Sequence, residues 1–254
     1  MEITNCSALY FSPGGTTRSV ARAVANGIAS EGRDLDFTTR AESIAFGEHD
    51  VVVIAAPVFG GRIPDVFARF LSEVSGGGAL AVCLAVYGNR AYDDALLELS
   101  DVATARGFRV IAGGAFIARH SIATEIAAGR PDAGDLEAMA GLSKAVRTKL
   151  AADDFSAPQL PGNRPYVEYK GVPLHPSANR QRCVKCGKCA RECPVGAIPA
   201  DAPYKTENAK CITCMHCVYT CPNYARGLNP VMLAATRTML KKACAARKLP
   251  ETYL

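Results

Sequence analysis

Hydrophobic residues in the first 150 positions follow two alternating patterns. Short continuous runs rich in Val, Ile and Ala are typical of strands that are covered on both faces. Between them, small apolar residues recur at the spacing of a helix. The runs predict five strands, at Ile3–Phe11, Leu35–Thr38, Val51–Ala56, Ala79–Tyr87 and Phe108–Ile117.

The predicted helices lie between and after these strands. Asp132 or Asp135 is positioned to cap the last helix, because a carboxylate accepts hydrogen bonds from the free N–H groups of a first turn. Regular alternation of strand and helix predicts an α/β fold with a doubly wound, five-stranded parallel sheet. The helices are predicted at Arg18–Ala29, Asp65–Val74, Asp93–Arg106 and Asp135–Leu150.

The pattern changes after residue 155. Residues 156–165 contain three prolines, which favour a semi-rigid spacer over a loose tether. Beyond them, Arg182–Pro194 is repeated 28 residues later as Lys210–Pro222, which indicates duplication of one small module. Pro230–Leu249 has helical spacing. We therefore expect a first domain at 1–155, a linker at 156–165, a small α+β domain at 166–229 and a C-terminal helix at 230–254.

Eight of the eleven cysteines crowd into residues 183–221. Crowding of this kind in a chain without a secretory signal indicates metal binding rather than disulfides. The remaining three, Cys6, Cys83 and Cys244, lie among apolar neighbours and are expected to be small buried side chains.

The eight clustered cysteines form two copies of the pattern C-x2-C-x2-C-x3-C-P. In each run three thiolates can reach three irons of one cubane, and the fourth thiolate serves the partner cluster. The alternative is a pair of zinc sites, which usually join two close cysteines to a distant second pair. The spacing favours two 4Fe–4S clusters. Their predicted ligands are Cys183, Cys186, Cys189 and Cys221 for the first cluster, and Cys193, Cys211, Cys214 and Cys217 for the second.

Charge is distributed unevenly around the net value of +5. Residues 1–157 carry 14 Lys+Arg against 19 Asp+Glu, a balance of −5, and residues 158–254 carry 15 against 5, a balance of +10. A basic region raises nucleic acid as a partner, but no nucleic-acid motif accompanies it. No apolar run is long enough to cross a bilayer, and the first residues lack the features of a signal peptide. We expect a cytoplasmic protein that neither spans a membrane nor binds nucleic acid.

Three loops that follow predicted strands are candidates for cofactor binding, because open α/β sheets bind ligands at the carboxyl ends of their strands. The first loop can hold a phosphate through backbone N–H groups, hydroxyls and a helix N-terminus. It has neither a Walker lysine nor the G-x-G-x-x-G pattern of dinucleotide sites. Aromatic and glycine residues in the other two suit a flat ring, on which Phe59 or Tyr87 could stack. The candidate residues are Ser12, Gly14, Gly15, Thr16 and Thr17 in the first loop, Pro57, Val58, Phe59, Gly60 and Gly61 in the second, and Tyr87, Gly88, Asn89, Arg90 and Tyr92 in the third.

These motifs resemble those of two known families. The cysteine runs resemble the bacterial two-cluster ferredoxins over about residues 180–228. The first loop resembles the flavodoxin phosphate loop S/T-x-T-G-x-T. Its third position, which is threonine in the pattern, is Gly14 in this chain. As a whole the chain resembles the fused flavodoxin–ferredoxin proteins of anaerobes. The resemblance implies FMN, two 4Fe–4S clusters and low-potential electron transfer.

The expected function is an electron relay between FMN, the clusters and external redox proteins that act as donor and acceptor. No nicotinamide-binding domain is visible in the sequence, so electrons are expected to enter from another protein. One alternative is a flavin-dependent reductase of a small substrate, with Arg62, Tyr92 or His120 as the general acid. Another is a redox-sensing interaction module. A homodimer in which the flavin of one subunit faces the clusters of the other is an alternative geometry.

Overall fold

Ten strands form in a computed structural model of the protein, which describes residues 5–254. Six of them build one sheet, and the other four form two short ladders. The strands are β1 (Ser7–Tyr10), β2 (Asp34–Asp36), β3 (Ile44–Ala45), β4 (Val51–Pro57), β5 (Val74–Ser75), β6 (Leu80–Tyr87), β7 (Arg109–Ile117), β8 (Ser177–Ala178), β9 (Arg226–Gly227) and β10 (Glu251–Tyr253).

Seven α-helices are distributed over the same residues. The longest begins with a reciprocal cap, in which the Asp132 carboxylate accepts from the N–H of Asp135 and the Asp135 carboxylate accepts from the N–H of Asp132. Within residues 5–254, no helix is both long enough and apolar enough to cross a bilayer. The helices are α1 (Thr16–Ile28), α2 (Asp65–Phe70, followed by a 3-10 turn at Leu71–Glu73), α3 (Ala95–Ala105), α4 (Ala133–Ala151), α5 (Lys188–Arg191), α6 (His216–Tyr219) and α7 (Pro230–Ala243).

The main sheet has the strand order β10-β7-β6-β4-β1-β2. Strands β1, β2, β4, β6 and β7 run parallel to one another. The predicted doubly wound sheet of five parallel strands is therefore confirmed. The chain winds outward from β1 to β2 and then crosses to β4 on the other side of β1. This change of direction opens a crevice at the carboxyl ends of β1 and β4, where sheets of this kind bind ligands.

Each face of the sheet carries its own apolar core, since successive side chains of a strand point to opposite faces. On one face, Val20 of α1 and Met139 of α4 pack against the strands. On the other face, Phe67 of α2 and Leu96 of α3 do so. Because helices cover both faces, every residue of β6 is buried, which explains its continuous apolar sequence. Cys6 and Cys83 are buried in these cores, as predicted.

Two predicted element boundaries in the first domain differ from the structure by four residues. Strand β1 begins at Ser7, whereas the prediction began at Ile3, which lies outside the described residues. The helix predicted to reach Val74 ends at Phe70 and continues only as a 3-10 turn. Val74 pairs instead with Ile44 in the small β3–β5 ladder, so a β-branched residue that the periodicity placed on a helix takes an extended conformation.

The proline-containing segment at residues 156–165 packs along α3. Leu160 contacts the apolar core, and the Asn163 N–H donates to the Asp94 carboxylate at 2.8 Å. Arg164 forms an ion pair of 2.6 Å with Asp101. The segment is therefore a strap over the first part of the fold rather than the spacer that the prolines predicted. The domain boundaries at 155 and 165 stay predictions.

The duplicated cysteine module has a duplicated backbone. Lys185 and Thr213, which are 28 residues apart, both have a positive φ, and so do Gly187 and Met215. The N–H of Ala197 donates to Cys193 Sγ at 3.3 Å, and the N–H of Ala225 repeats this bond to Cys221 Sγ at 3.3 Å. Residues other than glycine rarely adopt a positive φ. The same unusual backbone angles at equivalent positions show that the two runs fold in the same way.

The C-terminal segment corrects the prediction of a helix over residues 230–254. Helix α7 ends at Ala243, and Glu251–Tyr253 form the antiparallel edge strand β10 on β7. Asn89 holds the connection, since its side-chain amide donates to the carbonyls of Cys244 at 2.8 Å and Ala246 at 3.0 Å. Its carbonyl accepts from the N–H of Lys248 at 3.1 Å. The end of the chain is thus part of the first domain's sheet.

We predict that Asn89→Ala lowers the free energy of unfolding by about 2–4 kcal/mol, because three backbone groups lose a buried partner. Asn89 also has a φ of 65°, which alanine tolerates poorly. Chemical denaturation and hydrogen exchange over residues 244–253 would measure the loss.

Arg90→Ala is the matched control, because Arg90 is exposed and pairs only with Asp93 at the surface. We expect this change to stay within about 0.5 kcal/mol of the wild type. Equal destabilisation by the two substitutions would contradict the role assigned to Asn89.

Candidate functional site

A cleft lies at the carboxyl ends of β1, β4, β6 and β7. Its open mouth included, it holds about 790 Å³ of space. Four loops of the first domain and two segments of the second meet there. The cleft is lined by Pro13, Gly14, Thr16, Thr17, Pro57, Val58, Phe59, Gly60, Val86, Tyr87, Gly88, Ala118, Arg119, His120, Ser121, Ile122, Tyr169, Val172, Ile212, Thr213 and Cys214.

The loop between β1 and α1 is shaped for an anion. Helix α1 begins after Gly15, which has a φ of 84° and no side chain to cap the helix, and its first turn has no acidic residue. The N-terminus of this 13-residue helix carries partial positive charge, because its first N–H groups have no acceptor on the N-cap residue. Thr16 and Thr17 line the cleft at this point. The arrangement fits a phosphate group.

Ser12 and Gly15 support this loop from outside the cleft. The Ser12 hydroxyl accepts from the N–H of Arg18 at 2.9 Å, and the Ser12 N–H donates to the Thr38 hydroxyl at 2.9 Å. Both residues face a second, more open cleft on the outer side of the loop. The Ser12 side chain therefore holds the loop in shape and does not line the main cleft, where the sequence placed it.

The second loop is a tight turn from Phe59 to Arg62. Phe59 and Arg62 exchange two backbone hydrogen bonds of 2.9 and 3.2 Å. Gly60 and Gly61 have φ values of 60° and 92°, the combination that a type I′ turn requires. A side chain on Gly60 would clash with the Tyr169 ring, since its Cβ would lie 2.6 Å from Tyr169 Cδ2. Tyr169 therefore covers this turn at the edge of the cleft.

His120 lies against the third loop, where a Cβ on Gly88 would come within 2.5 Å of its ring. Its Nδ1 accepts hydrogen bonds from the N–H groups of Ile122 at 3.1 Å and Ala123 at 3.2 Å. These two bonds favour the neutral tautomer that carries its proton on Nε2. Burial also lowers the pKa of His120 below its ordinary value. A neutral imidazole thus forms one wall of the cleft.

The other two general-acid candidates are occupied elsewhere. The Arg62 guanidinium donates to both oxygens of Glu98, at 2.6 and 2.7 Å, and this pairing raises the pKa of Arg62. The Tyr92 hydroxyl is hydrogen-bonded to Glu251 at 2.7 Å and Tyr253 at 2.8 Å, and burial raises its pKa. Neither side chain lines the cleft.

The structure therefore divides the residues that the sequence assigned to the cofactor. Nine of them line the cleft: Gly14, Thr16, Thr17, Pro57, Val58, Phe59, Gly60, Tyr87 and Gly88. Gly61 belongs to the turn and packs against Asp93. Asn89 and Tyr92 bind the C-terminal segment, and Arg90 pairs with Asp93. Asn89, Arg90 and Tyr92 lie away from the cleft because the loop after Gly88 turns toward β10.

Sequence reasoning missed one whole wall of the cleft. Tyr169 and Val172 follow the strap, and Ile212, Thr213 and Cys214 belong to the second cysteine run. No local pattern links these positions to the three loops, since they are more than 40 residues from the nearest of them in the chain. Two tyrosines close together just after the strap, Tyr166 and Tyr169, were the one sequence feature that could have indicated this wall.

The eight clustered thiols surround two separate cavities. One is lined by Cys183, Cys186, Cys189 and Cys221, and the other by Cys193, Cys211, Cys214 and Cys217. Each run thus sends its fourth cysteine to the cavity of the other run. The donor set fits cubane clusters, which Cys thiolates hold in fours. Within residues 5–254, no group of three or more His, Cys, Asp or Glu side chains could hold a single metal ion.

The thiols of the second cavity are shielded from water. Burial raises the pKa of Cys214 to about 12 and that of Cys217 to about 11. At Cys221, in the other cavity, burial opposes ionisation, but the N–H groups of Ala225, Asn223 and Arg226 outweigh it and lower the pKa. Since clusters bind thiolates, cluster assembly in the second cavity must release protons.

Helix α6 joins the second cavity to the anion loop. His216 Nδ1 lies 3.1 Å from the carbonyl oxygen of Pro13, and the Tyr219 hydroxyl donates to the carbonyl of Ser121 at 2.8 Å. Cys214, two residues before the helix, lines both the second cavity and the cleft. His216 is mostly buried where α6 meets the anion loop, with 13% of its side chain exposed.

Comparison with known proteins identifies both parts of the chain. The profile of the flavodoxin domain family matches residues 8–81, and that of the 4Fe-4S dicluster domain family matches residues 175–222. Over 63 residues the chain is 38% identical to YccM of Escherichia coli (strain K12), whose name describes an electron transport protein. That match covers 23% of this chain and only 17% of YccM.

Two solved structures are also similar to the chain. The rubredoxin oxygen:oxidoreductase of the anaerobe Desulfovibrio gigas has a TM-score of 0.41 and 15% identity, over 59% of this chain and 37% of that protein. The flavodoxin of Streptococcus pneumonia TIGR4 has a TM-score of 0.37 and 18% identity, over 56% of this chain and 98% of that protein.

The chain therefore joins a flavodoxin domain to a 4Fe-4S dicluster domain. This order confirms the resemblance to the fused flavodoxin–ferredoxin proteins. A flavodoxin domain implies a flavin, and a dicluster domain implies iron–sulfur clusters.

We predict about eight iron and eight acid-labile sulfide per chain after anaerobic purification. Cys193→Ala should abolish the electron paramagnetic resonance signal of the cluster held by Cys211, Cys214 and Cys217. The matched variant Cys221→Ala should abolish the other signal. Stoichiometric zinc without labile sulfide, or damage by Cys193→Ala to the cluster beside it in sequence, would contradict the crossed ligand sets.

We also predict that Thr17→Glu lowers flavin affinity by roughly tenfold or more, because it buries a negative charge where the phosphate would bind. Ser19→Glu is the matched control, since it adds the same charge to the first turns of α1 at an exposed position outside the cleft. Fluorescence titration of the apoprotein with flavin measures both affinities. Equal affinity in the two variants would count against the anion loop.

Proposed function

We propose that this protein is a low-potential electron relay, in which electrons pass between FMN in the cleft, two 4Fe–4S clusters and external redox proteins. One observation carries the proposal. Cys214, a ligand of the second predicted cluster, lines the same cleft as the anion loop and the Phe59–Arg62 turn. A cluster held there borders the cofactor that the cleft accommodates.

The choice of FMN over a dinucleotide rests on the anion site. The cleft contains one loop with the features of a phosphate site, at the start of α1. The sequence has no glycine pattern for a pyrophosphate. Thr16 and Thr17 lie at the phosphate end, and Phe59, Tyr87 and Tyr169 line the part suited to a flat aromatic ring.

Bound FMN exchanges one or two electrons and each cubane exchanges one, so the fusion can couple two-electron with one-electron chemistry. The side chains of this protein bind and orient these groups and exclude water from them. Val172 and Ile212 line the cleft, and Ile212 also lines the second cavity. Apolar side chains at this junction would exclude water from between the two cofactors.

The external partners are redox proteins that donate and accept electrons. YccM is 38% identical to this chain over 63 residues, and its name describes an electron transport protein. This similarity supports a general role in electron transfer. The sequence shows no nicotinamide-binding domain that could supply electrons directly. Entry and exit through other proteins is therefore part of the proposal.

A flavin-dependent reductase of a small substrate is the second candidate function. His120 favours it, because it lines the cleft as a neutral imidazole with its Nε2 proton available. Arg62 and Tyr92 do not serve this role, since both are held in other contacts.

We predict that reduction of the clusters leads to flavin reduction within the same molecule, at a rate that does not depend on protein concentration. Tyr219→Ala should slow this step, because it removes a contact that holds α6 against the first domain. Stopped-flow absorbance across a dilution series measures the rate.

Tyr224→Ala is the control, since Tyr224 is 81% exposed and follows the first cavity's Cys221. Its rate should equal that of the wild type. A rate that rises with concentration would indicate transfer between chains, as in the homodimer geometry, and an absence of flavin reduction would refute the relay.

A further inference from the structure

The two thiol cavities differ in their relation to the cleft. Cys214 of the second cavity lines the cleft, and none of the four cysteines of the first cavity does. Cys186 of the first cavity is the one exposed cysteine among the eight. The sites therefore form a series from the cleft through the second cavity to the first, and the first cavity reaches solvent at Cys186.

The loop around Cys186 has an unusual charge. Residues 180–191 contain five Lys or Arg and no Asp or Glu. We call this set the basic face: Arg180, Arg182, Lys185, Lys188 and Arg191. The Arg191 guanidinium lies beside this exposed residue, because it donates to the carbonyl oxygen of Cys186 at 3.0 Å.

Among the described residues, one of these five cations, Lys188, has an acidic side chain within ion-pair distance. Glu192 lies 3.9 Å from Lys188 and 3.6 Å from His216, which directs it toward the seam with the first domain. The adjoining segment 201–210 is balanced, with two acids against two lysines. Thiolates of a bound cluster would offset part of the positive charge, and of the five cations Lys185 and Lys188 line the cavity that would hold it.

Two large apolar side chains are exposed beside the basic face. Val184 is 67% exposed and lines the first cavity. Tyr224 is 81% exposed and lies between Asn223 and Ala225, which line the same cavity. An apolar centre with a charged rim, rich in Tyr and Arg, is the usual composition of a protein interface.

We propose that the basic face, with Val184 and Tyr224, is the docking surface for an acidic one-electron carrier protein, which exchanges electrons at the first cluster through the exposed edge at Cys186. This inference rests on the proposed function and names the partner class for one end of the relay. One electron leaves the reduced cluster and enters the oxidised carrier, with no bond made or broken. Charge complementarity selects an acidic partner and accelerates its approach.

The test uses the full-length protein with its clusters reduced by dithionite and then freed of excess reductant. Stopped-flow absorbance follows cluster oxidation by an anionic acceptor, Fe(III)-EDTA, and a cationic one, hexaammineruthenium(III). In wild type we expect the anion's rate to fall and the cation's rate to rise as salt is added. The double variant R182Q/K185Q should react with the anion roughly tenfold more slowly at low ionic strength.

The double variant K241Q/K242Q is the matched control, since it removes the same net charge from exposed positions on α7. We expect its rate with the anion to stay close to that of wild type. Equal effects of the two double variants would overturn the proposal, and so would wild-type rates that do not depend on the sign of the acceptor. The wild-type salt dependence decides the question even if R182Q/K185Q loses its first cluster.

Protein acceptors then test the partner class. The acidic protein rubredoxin should be reduced more slowly by R182Q/K185Q than by wild type, and the basic protein cytochrome c should not. Tighter binding of mixed-sequence duplex DNA than of rubredoxin would assign the face to nucleic acid and overturn the proposal. Flavin reduction within the same variants should be unchanged, so its absence in wild type would refute the relay without affecting the measured selectivity for acceptors.

Discussion

The Tyr219 ring lies against Gly14, and a Cβ at position 14 would come within 3.4 Å of Tyr219 Cε2. With the bond from the Tyr219 hydroxyl to Ser121 and the contact of His216 with Pro13, this packing holds α6 on the anion loop. The flavodoxin phosphate loop has threonine where this chain has Gly14. A threonine would bring two further atoms toward the ring, so the departure from the pattern makes room for the second domain. The position of Cys214 at the cleft depends on this close approach.

Ion pairs between the first domain and the C-terminal region reflect the opposite net charges of these two parts of the chain. Arg164 pairs with Asp101, Arg237 with Glu125 and Arg247 with Asp132, and in each pair the cation comes from the basic C-terminal region. Exposed pairs of this kind contribute little stability individually. Their number and common direction favour one orientation of the domains, while the buried hydrogen bond of Asn89 and the packing of Leu160 and Tyr219 supply more of the stability. Electrostatic attraction thus favours the orientation of the domains, and packing stabilises it.

Sequence patterns predicted the features that depend on residues close together in the chain. The five parallel strands follow from apolar runs, and the crossed grouping of thiols follows from the repeated spacing around Cys193 and Cys221, because both depend on a few neighbouring residues. The functions of Asn89, Tyr169 and His216 could not be predicted in this way. Asn89 binds residues about 155 positions away, and Tyr169 meets Gly60 only after the strap has crossed α3. Such contacts depend on the whole topology, which periodicity does not encode.

The return of the chain to β7 has a consequence for biosynthesis. Strand β10 begins 134 residues after β7 ends, so a ribosome adding 5–20 residues per second leaves the β7 edge without its partner for on the order of ten seconds. An open edge during this interval can pair with another nascent chain. The wall of the cleft that contains Cys214 also emerges in that interval. A flavin that binds early would meet a cleft still open to solvent, because both closures need residues that are synthesised after β7.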